Sequence, residues 1–419
     1  MLLRIIAAAL TVAAPAAAET VAFTAARMLD VTTGRYVASP VVVVTDGRIV
    51  AAGAKVVVPV GAKRVDLGGL TLLPGLIDMH VHLDSVPRWG GYSGLQFSDS
   101  YFVVAATANA RAMLDSGFTT VRNVGSTNYS DVGLREAIDD GLVPGPRIVS
   151  AAYALGATGG HCDETYFPPS FARQSPAVVN GVDQARVRVR EQRKYGAQVI
   201  KVCATGGVFS RNTEPGQQQL HEAELAAIVD EAKLWGLRVA AHAHGSTGIK
   251  AAIRAGVHTI EHASLIDAEG IALAKARGAY LSMDIYNTDY TQAEGAKNGV
   301  MEDNLRKDRE VAQIQRDNFR AAHKAGVKLI FGTDAGVMPH DQAARQFATM
   351  VQYGMTPAEA IRAATATAAE ALGMADRGTI APGRWGDMIA VAGDPLADVG
   401  TLTKVAVVIK GGTVVKDAR

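Results

Sequence analysis

Between residues 74 and 372 the chain alternates short β-branched runs with stretches of helical periodicity, and it does so eight times. The runs are LIDMHVHL (76–83), FTTVRNV (118–124), RIVSA (147–151), QVIKVCA (198–204), LRVAAHA (237–243), VHTIEHA (257–263), AYLSMDI (279–285) and KLIFGTDA (328–335). Segments such as LHEAELAAIVDEAKLWG and TGIKAAIRAG separate them, with apolar residues at helical spacing and glycine near their ends. Eight strand–helix units over ~300 residues match the count and length of an α/β fold, the (β/α)8 TIM barrel. An open doubly wound sheet is the competing α/β arrangement, but no GxGxxG opens a helix after any of these runs.

The two ends of the chain carry a different pattern. From Thr20 to about Leu73 the residues alternate as β-strands, with Asp46-Gly47 between apolar runs as a hairpin turn. The C-terminus repeats this with DMIAVAG and VAVVIKGGTVVKDA, turning at Gly411-Gly412. Residues 19–73 and 373–419 are therefore expected to form one small β domain around a barrel spanning 74–372.

Residues 1–18, MLLRIIAAALTVAAPAAA, hold Arg4, an apolar run broken by Pro15, and small residues at Ala16 and Ala18. That layout is expected of a cleaved secretory signal peptide, too short for a spanning helix, and it places the mature chain in the periplasm or outside the cell. An uncleaved anchor or an N-terminal core helix is the plainer alternative. Without Arg4, the 42 Lys and Arg against 41 Asp and Glu come into balance. No later stretch reaches 18 uninterrupted apolar residues, so no membrane association is expected after cleavage. A neutral chain lacks the uncompensated basic charge that tracks phosphates, which argues against nucleic acid as a partner. Two cysteines make neither a disulfide scaffold nor a four-cysteine zinc site.

Chemistry-bearing residues gather at the ends of the expected strands. His80 and His82 are two apart at the end of the first, so both imidazoles face one side, the mouth of a barrel. Lys201 sits within the fourth between Ile200 and Val202, which implies a buried lysine prone to lose its charge. His242 ends the fifth with His244 two residues on, His262 ends the sixth behind Glu261, and Asp334 ends the eighth in FGTDAG. Each has a bland reading: Lys201 can snorkel, His262 can be a satisfied core histidine, and Asp334 can cap a helix. Bland readings do not explain why all of them fall at strand ends. Four imidazoles, a carboxylate and a lysine suit two divalent metal ions, with Zn²⁺ first among them. The lysine would ligate only when uncharged or as a carbamate. No GxSxG motif supports a serine hydrolase, and nothing in the sequence activates either cysteine as a nucleophile.

These residues closely resemble the metal-dependent amidohydrolase superfamily: TLLPGLIDMHVHL, IKVCATGG, VAAHAHG, GVHTIEHAS and FGTDAG, with GTIAPGRWGDMIAV near the C-terminus. The resemblance covers essentially the whole mature chain. It implies a composite β-sandwich from the two termini, one metal held by His80, His82 and Asp334, a second by His242 and His262, and a CO2-derived carbamate on Lys201 (N6-carboxylysine) bridging both. TGGH (158–161), TGGVFSRNTEP (205–215) and GTDAGVMPH (332–340) are similar to the imidazolonepropionase-related peptidase branch, which contains prolidases, carboxypeptidase-like dipeptidases and ochratoxin-hydrolysing amidases. Imidazolonepropionase and the related deaminases bind one metal and lack the strand-four lysine, so Lys201 points to the two-metal hydrolases. Many relatives carry a tyrosine where His244 stands, a departure that bears on the preferred leaving residue.

The expected reaction is hydrolysis of a peptide or amide bond in a small substrate, a Xaa-amino-acid dipeptide, an N-acyl amino acid or an ochratoxin-like amide, by a metal-bridging hydroxide. Asp334 would take the proton and deliver it to the leaving amine, with His161 and His244 as donors to the oxyanion. Arg211 is the expected clamp for a substrate carboxylate, or else a solvated loop arginine, and His340 is expected at the substrate or in ordering the eighth loop. Cys162 and Cys203 lie on neighbouring strand ends and either pair as a disulfide or remain free thiols. The resemblance also implies a homo-oligomer, an octamer among the arrangements of this branch. A deaminase or cyclic-amide hydrolase of the same fold is the alternative, and a non-catalytic metal-binding protein a remote one.

Overall fold

The computed structural model describes residues 19–419, so the expected export signal at 1–18 lies outside the described residues. One strand falls on each of the eight runs: β1 (Leu76–Val81), β2 (Phe118–Asn123), β3 (Arg147–Ser150), β4 (Val199–Cys203), β5 (Arg238–Gly245), β6 (Thr259–Leu265), β7 (Tyr280–Ser282) and β8 (Leu329–Ile330). Neighbours pair in parallel as two sheets, β1–β3 and β4–β8. Backbone bonds close the ring at both seams. Gln198 N donates to Ser150 O and Leu155 N to Lys201 O between β3 and β4, while Met79 N donates to Phe331 O and Asp334 N to His80 O between β1 and β8. The expected TIM-type barrel is what the chain forms.

The strands are shorter or longer than the apolar runs suggest. Only two residues of the eighth run pair as a strand, because beyond Ile330 the chain turns through Asp334 (φ +57°) and Gly336 (φ +124°). Helices such as Glu222–Leu234 and Ser246–Ala255 cover the barrel, burying Leu225, Ile228, Ile249 and Ile253. The second of them ends at Gly256 (φ +93°), where a left-handed residue caps the last carbonyls at no steric cost. Among the described residues no helix is long and apolar enough to cross a membrane.

The chain ends interleave. Thr20–Thr24 pairs with Val41–Thr45 and Lys63–Asp66 in a four-stranded sheet. A six-stranded sheet joins N-terminal strands (Arg27–Asp30, Arg35–Ala38, Thr71–Pro74) to C-terminal ones (Met388–Val391, Val405–Lys410, Thr413–Asp417). Phe23, Val42, Ile49, Leu72, Met388 and Ile409, drawn from both sheets, share one buried cluster. Asp46 and Gly47 (φ +48° and +78°) and Gly411 and Gly412 (+56° and +76°) have positive φ at both central residues, the turn that matches strand twist in a two-residue hairpin.

The terminal sheets are tied to the barrel through Arg147 at the start of β3. Its guanidinium donates to both oxygens of Asp387 at 2.8 and 3.2 Å and lies 3.6 Å from the centre of the Trp385 ring. Asp387 also accepts from the backbone N–H of Gly411, so one buried carboxylate links barrel, C-terminal hairpin and sheet. Asp387→Ala leaves that guanidinium and N–H unpaired and is expected to lower the unfolding free energy by about 2–4 kcal/mol in urea denaturation at pH 7. A loss under about 0.5 kcal/mol, the range of ordinary surface changes, would show that this contact does not couple the two parts.

Candidate active site

In β1, side chains two apart share a face, and His80 and His82 project to the same place at the strand's C-terminal end. Asp334 Oδ1 lies 3.3 Å from His80 Nε2 and 3.4 Å from His82 Nε2. The His262 ring stands 4.8 Å from that of His80 and 4.6 Å from that of His242, centre to centre. Potential ligand atoms of His80, His262 and Asp334, and of His242, His244 and His262, fall within 4.8 Å of one another. Lys201, in β4, lines the same cavity and is almost wholly buried. All six residues expected as metal ligands are thus gathered at one pole of the barrel.

The chemistry of this donor set fits divalent metal ions. Each of the four imidazoles gives one nitrogen to an oxygen acceptor: His80 Nδ1 to Glu261 (3.1 Å), His82 Nδ1 to the Gly125 carbonyl (3.2 Å), His262 Nδ1 to Asp284 (3.0 Å) and His242 Nε2 to the Gly206 carbonyl (3.1 Å). With that nitrogen as the N–H donor, the other is left as a bare lone pair, the arrangement of metal-binding histidines. Among the described residues, the buried Nε2 of His80 has no hydrogen-bond partner. Burial pushes His82 down to about 4 and His242 well below its usual range, keeping both neutral. Burial also pushes Lys201 down to about 8, so a usable share of its amine is uncharged near neutral pH. Burial penalises a charge on Asp334 too, but the His80 ring beside it outweighs that and holds the carboxylate well below its usual range.

Three groups that sequence periodicity does not single out hold these side chains. Glu261, fully buried, bonds His80 Nδ1 with one oxygen and accepts from Arg122 Nη2 at 2.7 Å with the other. Asp284 takes the His262 N–H and is itself held by Gln315 Nε2 at 2.9 Å and Asn287. Asp78 accepts from Thr333 Oγ1 (2.6 Å) and the His80 N–H (3.0 Å), tying the turn that carries Asp334 to β1. The available signal was acidic or basic residues inside otherwise apolar runs: Asp78, Arg122, Glu261 and Asp284 all have it.

A cavity of about 300 Å³ opens over this pole. His161 lies across it, stacked 4.1 Å from the His242 ring, with Nδ1 2.9 Å from Ser210 Oγ. Its imidazole sits so close to Gly207 that a β-carbon there would come within 2.4 Å, which accounts for a glycine in the TGGVFSR loop. His244 stacks on His262 at 4.6 Å and bonds Ser264 Oγ at 2.8 Å. For two residues the structure matches the plainer of the two expected readings. Arg211 does not line the cavity: it is exposed, with its guanidinium on the Tyr92 hydroxyl at 3.1 Å. His340 does not line it either, since its Nε2 bonds the His82 carbonyl at 3.2 Å and orders the eighth loop from behind. Cys162 and Cys203 are joined as a disulfide on the cavity wall, their Cα atoms 5.9 Å apart, next to His161 and two residues beyond Lys201. Alkylation of unfolded, unreduced protein is therefore expected to label neither cysteine, and to label both after reduction. Two labels without reductant would remove this link between loops three and four.

Comparison with known proteins places this geometry. Residues 71–415 match the model of the amidohydrolase family. The ochratoxinase of Aspergillus niger is 33% identical over 371 residues, covering 82% of this chain and 75% of its own. A crystal structure of a Xaa-Pro dipeptidase with bound methionine in the active site superposes with a TM-score of 0.88 at 33% identity, covering 95% of this chain and all of its own. A prolidase complexed with N-methylphosphonate-L-proline gives the same TM-score at 32% identity and the same coverage. With a family match over most of its length and a relative above 30% identity, the chain belongs to the amidohydrolase family.

Proposed function

We propose that this chain is a two-metal hydrolase that cleaves the peptide or amide bond of small substrates: Xaa-amino-acid dipeptides, N-acyl amino acids or ochratoxin-like amides. One observation carries the reading: four imidazoles with one nitrogen each committed to an acceptor, a carboxylate and a buried lysine converge at the mouth of one barrel. The relatives supply the reaction class, since they are named for an ochratoxin-directed activity and for dipeptidase activity. On this reading His80, His82 and Asp334 hold one metal, His242 and His262 the second, and Lys201, as a carbamate, contributes to both. Zn²⁺ suits these nitrogen and oxygen donors. When bound, the metals supply a nucleophile from water near neutral pH and polarise the scissile carbonyl.

The chain's own residues do the rest. Asp334 accepts the proton of the attacking water and passes it to the departing nitrogen. His161 and His244 have Nδ1 on serine hydroxyls, and with the hydroxyl as donor each carries its proton on Nε2, free to donate toward the carbonyl oxygen as it gains charge. Burial pushes His161 down to about 3, so this donor is neutral and does not repel the metals. Val208 and Phe209 give the cavity an apolar wall beside the substrate. The same reading takes residues 1–18 as a cleaved export signal, 19–73 with 373–419 as one β-sandwich beside the 74–372 barrel, and the assembly as a homo-oligomer. A disulfide beside the site accords with an oxidising compartment such as the periplasm.

In metal-replete protein, release of free amino acid from a dipeptide and N-acyl amino acid panel is the direct test. Lys201→Ala and Asp334→Asn are each expected to lower kcat/KM by about 10²–10⁴-fold, and near-wild-type turnover in either sinks the reading. Metal analysis of the same sample is expected to give two ions per chain; a value near one favours a deaminase or cyclic-amide hydrolase instead. Glu261→Gln, which weakens the acceptor holding His80, is expected to raise the metal dissociation constant by about 10–100-fold in competition with a chelator.

A further inference from the structure

The helix Glu302–Ala325 lays one face along the cavity, with Asp308, Val311, Ala312 and Gln315 in its lining. Gln315 belongs to the ligand pole, where its amide holds Asp284 and the His262 carbonyl. Asp308 lies seven residues earlier, two turns or about 10 Å along the helix axis. Between them the wall is apolar, made by Val311 and Ala312 and completed by Val208, Phe209 and Val337 from the loops after β4 and β8. The cavity is thus a slot that runs from the ligand pole to a carboxylate.

That carboxylate is mostly buried and has one oxygen without a protein donor. Asp308 is 6% exposed. Thr288 Oγ1 and Gln292 Nε2 donate to it at 2.7 and 2.6 Å, both to Oδ2, and among the described residues nothing donates to Oδ1 and no cation pairs with the group. Lys201, at the other end, is the only lysine or arginine in the lining. The second carboxylate outside the ligand set, Asp284, is occupied by His262, Gln315 and Asn287. A buried carboxylate without a counter-charge is costly, and a cation delivered by a ligand removes the cost. An α-ammonium beside the scissile bond stays near the ligand pole. A cation on a stem of three or four methylenes fits both the apolar wall and the distance, since such stems pack on apolar surface while the head seeks charge.

We propose that Asp308 is a specificity-determining residue and that the site prefers substrates whose residue next to the scissile bond carries a lysine- or arginine-like side chain. The proposal rests on the hydrolytic reading above for its reaction and on Asp308 for its selectivity. It is tested with matched pairs that differ in the terminal charge alone: N-acetyl-lysine against N-acetyl-norleucine, Lys-Ala against norleucyl-alanine, and the glutamate analogues of each. In wild-type protein kcat/KM for the lysine member of at least one pair is expected to exceed its norleucine partner by about 10-fold or more, with glutamate poorest. Asp308→Asn keeps an acceptor oxygen for Thr288 and Gln292 and removes the charge, so the lysine-to-norleucine ratio is expected to fall toward one. A wild-type ratio of one or less overturns the proposal, as does a ratio unchanged in Asp308→Asn. Where Asp308→Asn does not fold, the wild-type series of lysine, norleucine and glutamate decides alone. Where no member of the panel is hydrolysed, the hydrolytic reading fails, and calorimetric binding of lysine against norleucine judges Asp308 by the same ratio.

Discussion

Arg122 and Glu261 are sealed inside the barrel, 2% and 0% exposed, and the site is built on their pairing. Removing two such charges from water costs several kcal/mol each, which only close pairing and full hydrogen bonding recover. Arg122 meets that demand by donating to the Met79 carbonyl at 2.6 Å, to Thr259 Oγ1 at 2.8 Å and to Glu261 at 2.7 Å, so a residue of β2 fixes β1 and β6 against it. Burial alone would protonate Glu261, but the guanidinium beside it and the His80 contact hold it well below the usual carboxylate range. The remaining oxygen then takes the His80 Nδ1–H, which sets the tautomer and leaves Nε2 bare at the pole. Barrel closure and ligand orientation therefore use the same bonds. A change that loosens one loosens the other.

Backbone strain does a second part of the positioning. Alternation along β6 would send Glu261 and His262 to opposite faces, yet both reach the barrel interior. The chain manages this by placing His262 and Ala263 at φ +67° and +48°, a left-handed pair that swings the imidazole to the mouth while Glu261 keeps its inward place. Asp334 is held the same way at φ +57°, between β8 and the turn tied down by Asp78. Each such residue costs roughly 1–2 kcal/mol relative to ordinary backbone. The His262 N–H donated to Asp284 and the Asp334 N–H donated to the His80 carbonyl offset that cost.

The same facts show how far the sequence could be read. Strand identity was legible because β-branched runs and helical periodicity are local, and the convergence of the six residues was legible because a barrel turns the C-terminal parts of its strands to one mouth. Strand length was not: beyond Ile330 the chain leaves the strand through the left-handed Asp334 and Gly336, a turn held by contacts to β1 some 250 residues away that no local pattern encodes. The supporting carboxylates were visible as anomalies in apolar strands, but which histidine each one faces depends on strand neighbours and on the left-handed turn at His262. The two readings of Arg211 could not be separated for a related reason. A basic residue on a loop near the site has two faces open to it, and the Tyr92 hydroxyl, 119 residues earlier, draws it outward.

The helix Glu302–Ala325 shows why catalysis and selectivity are joined in this barrel. Lys307 is fully buried and spends its ammonium on the carbonyls of Ser210 (2.6 Å) and Thr213 (3.0 Å) and on Asp303 (3.0 Å), while Asn304 donates to the Val208 carbonyl. Those contacts clamp the loop after β4, and Ser210 of that loop holds the His161 ring over the ligand pole. The adjacent residue, Asp308, turns to the cavity. A helix rotates about 100° per residue, so consecutive positions face different neighbours, one the loop and the other the cavity. A shift of this helix would move His161 through Lys307 and the far carboxylate through Asp308 together. On the proposed reading, side-chain selection at one end of the slot and donor placement at the other are set by one rigid element, which would couple recognition of the substrate's arm to the position of its scissile bond.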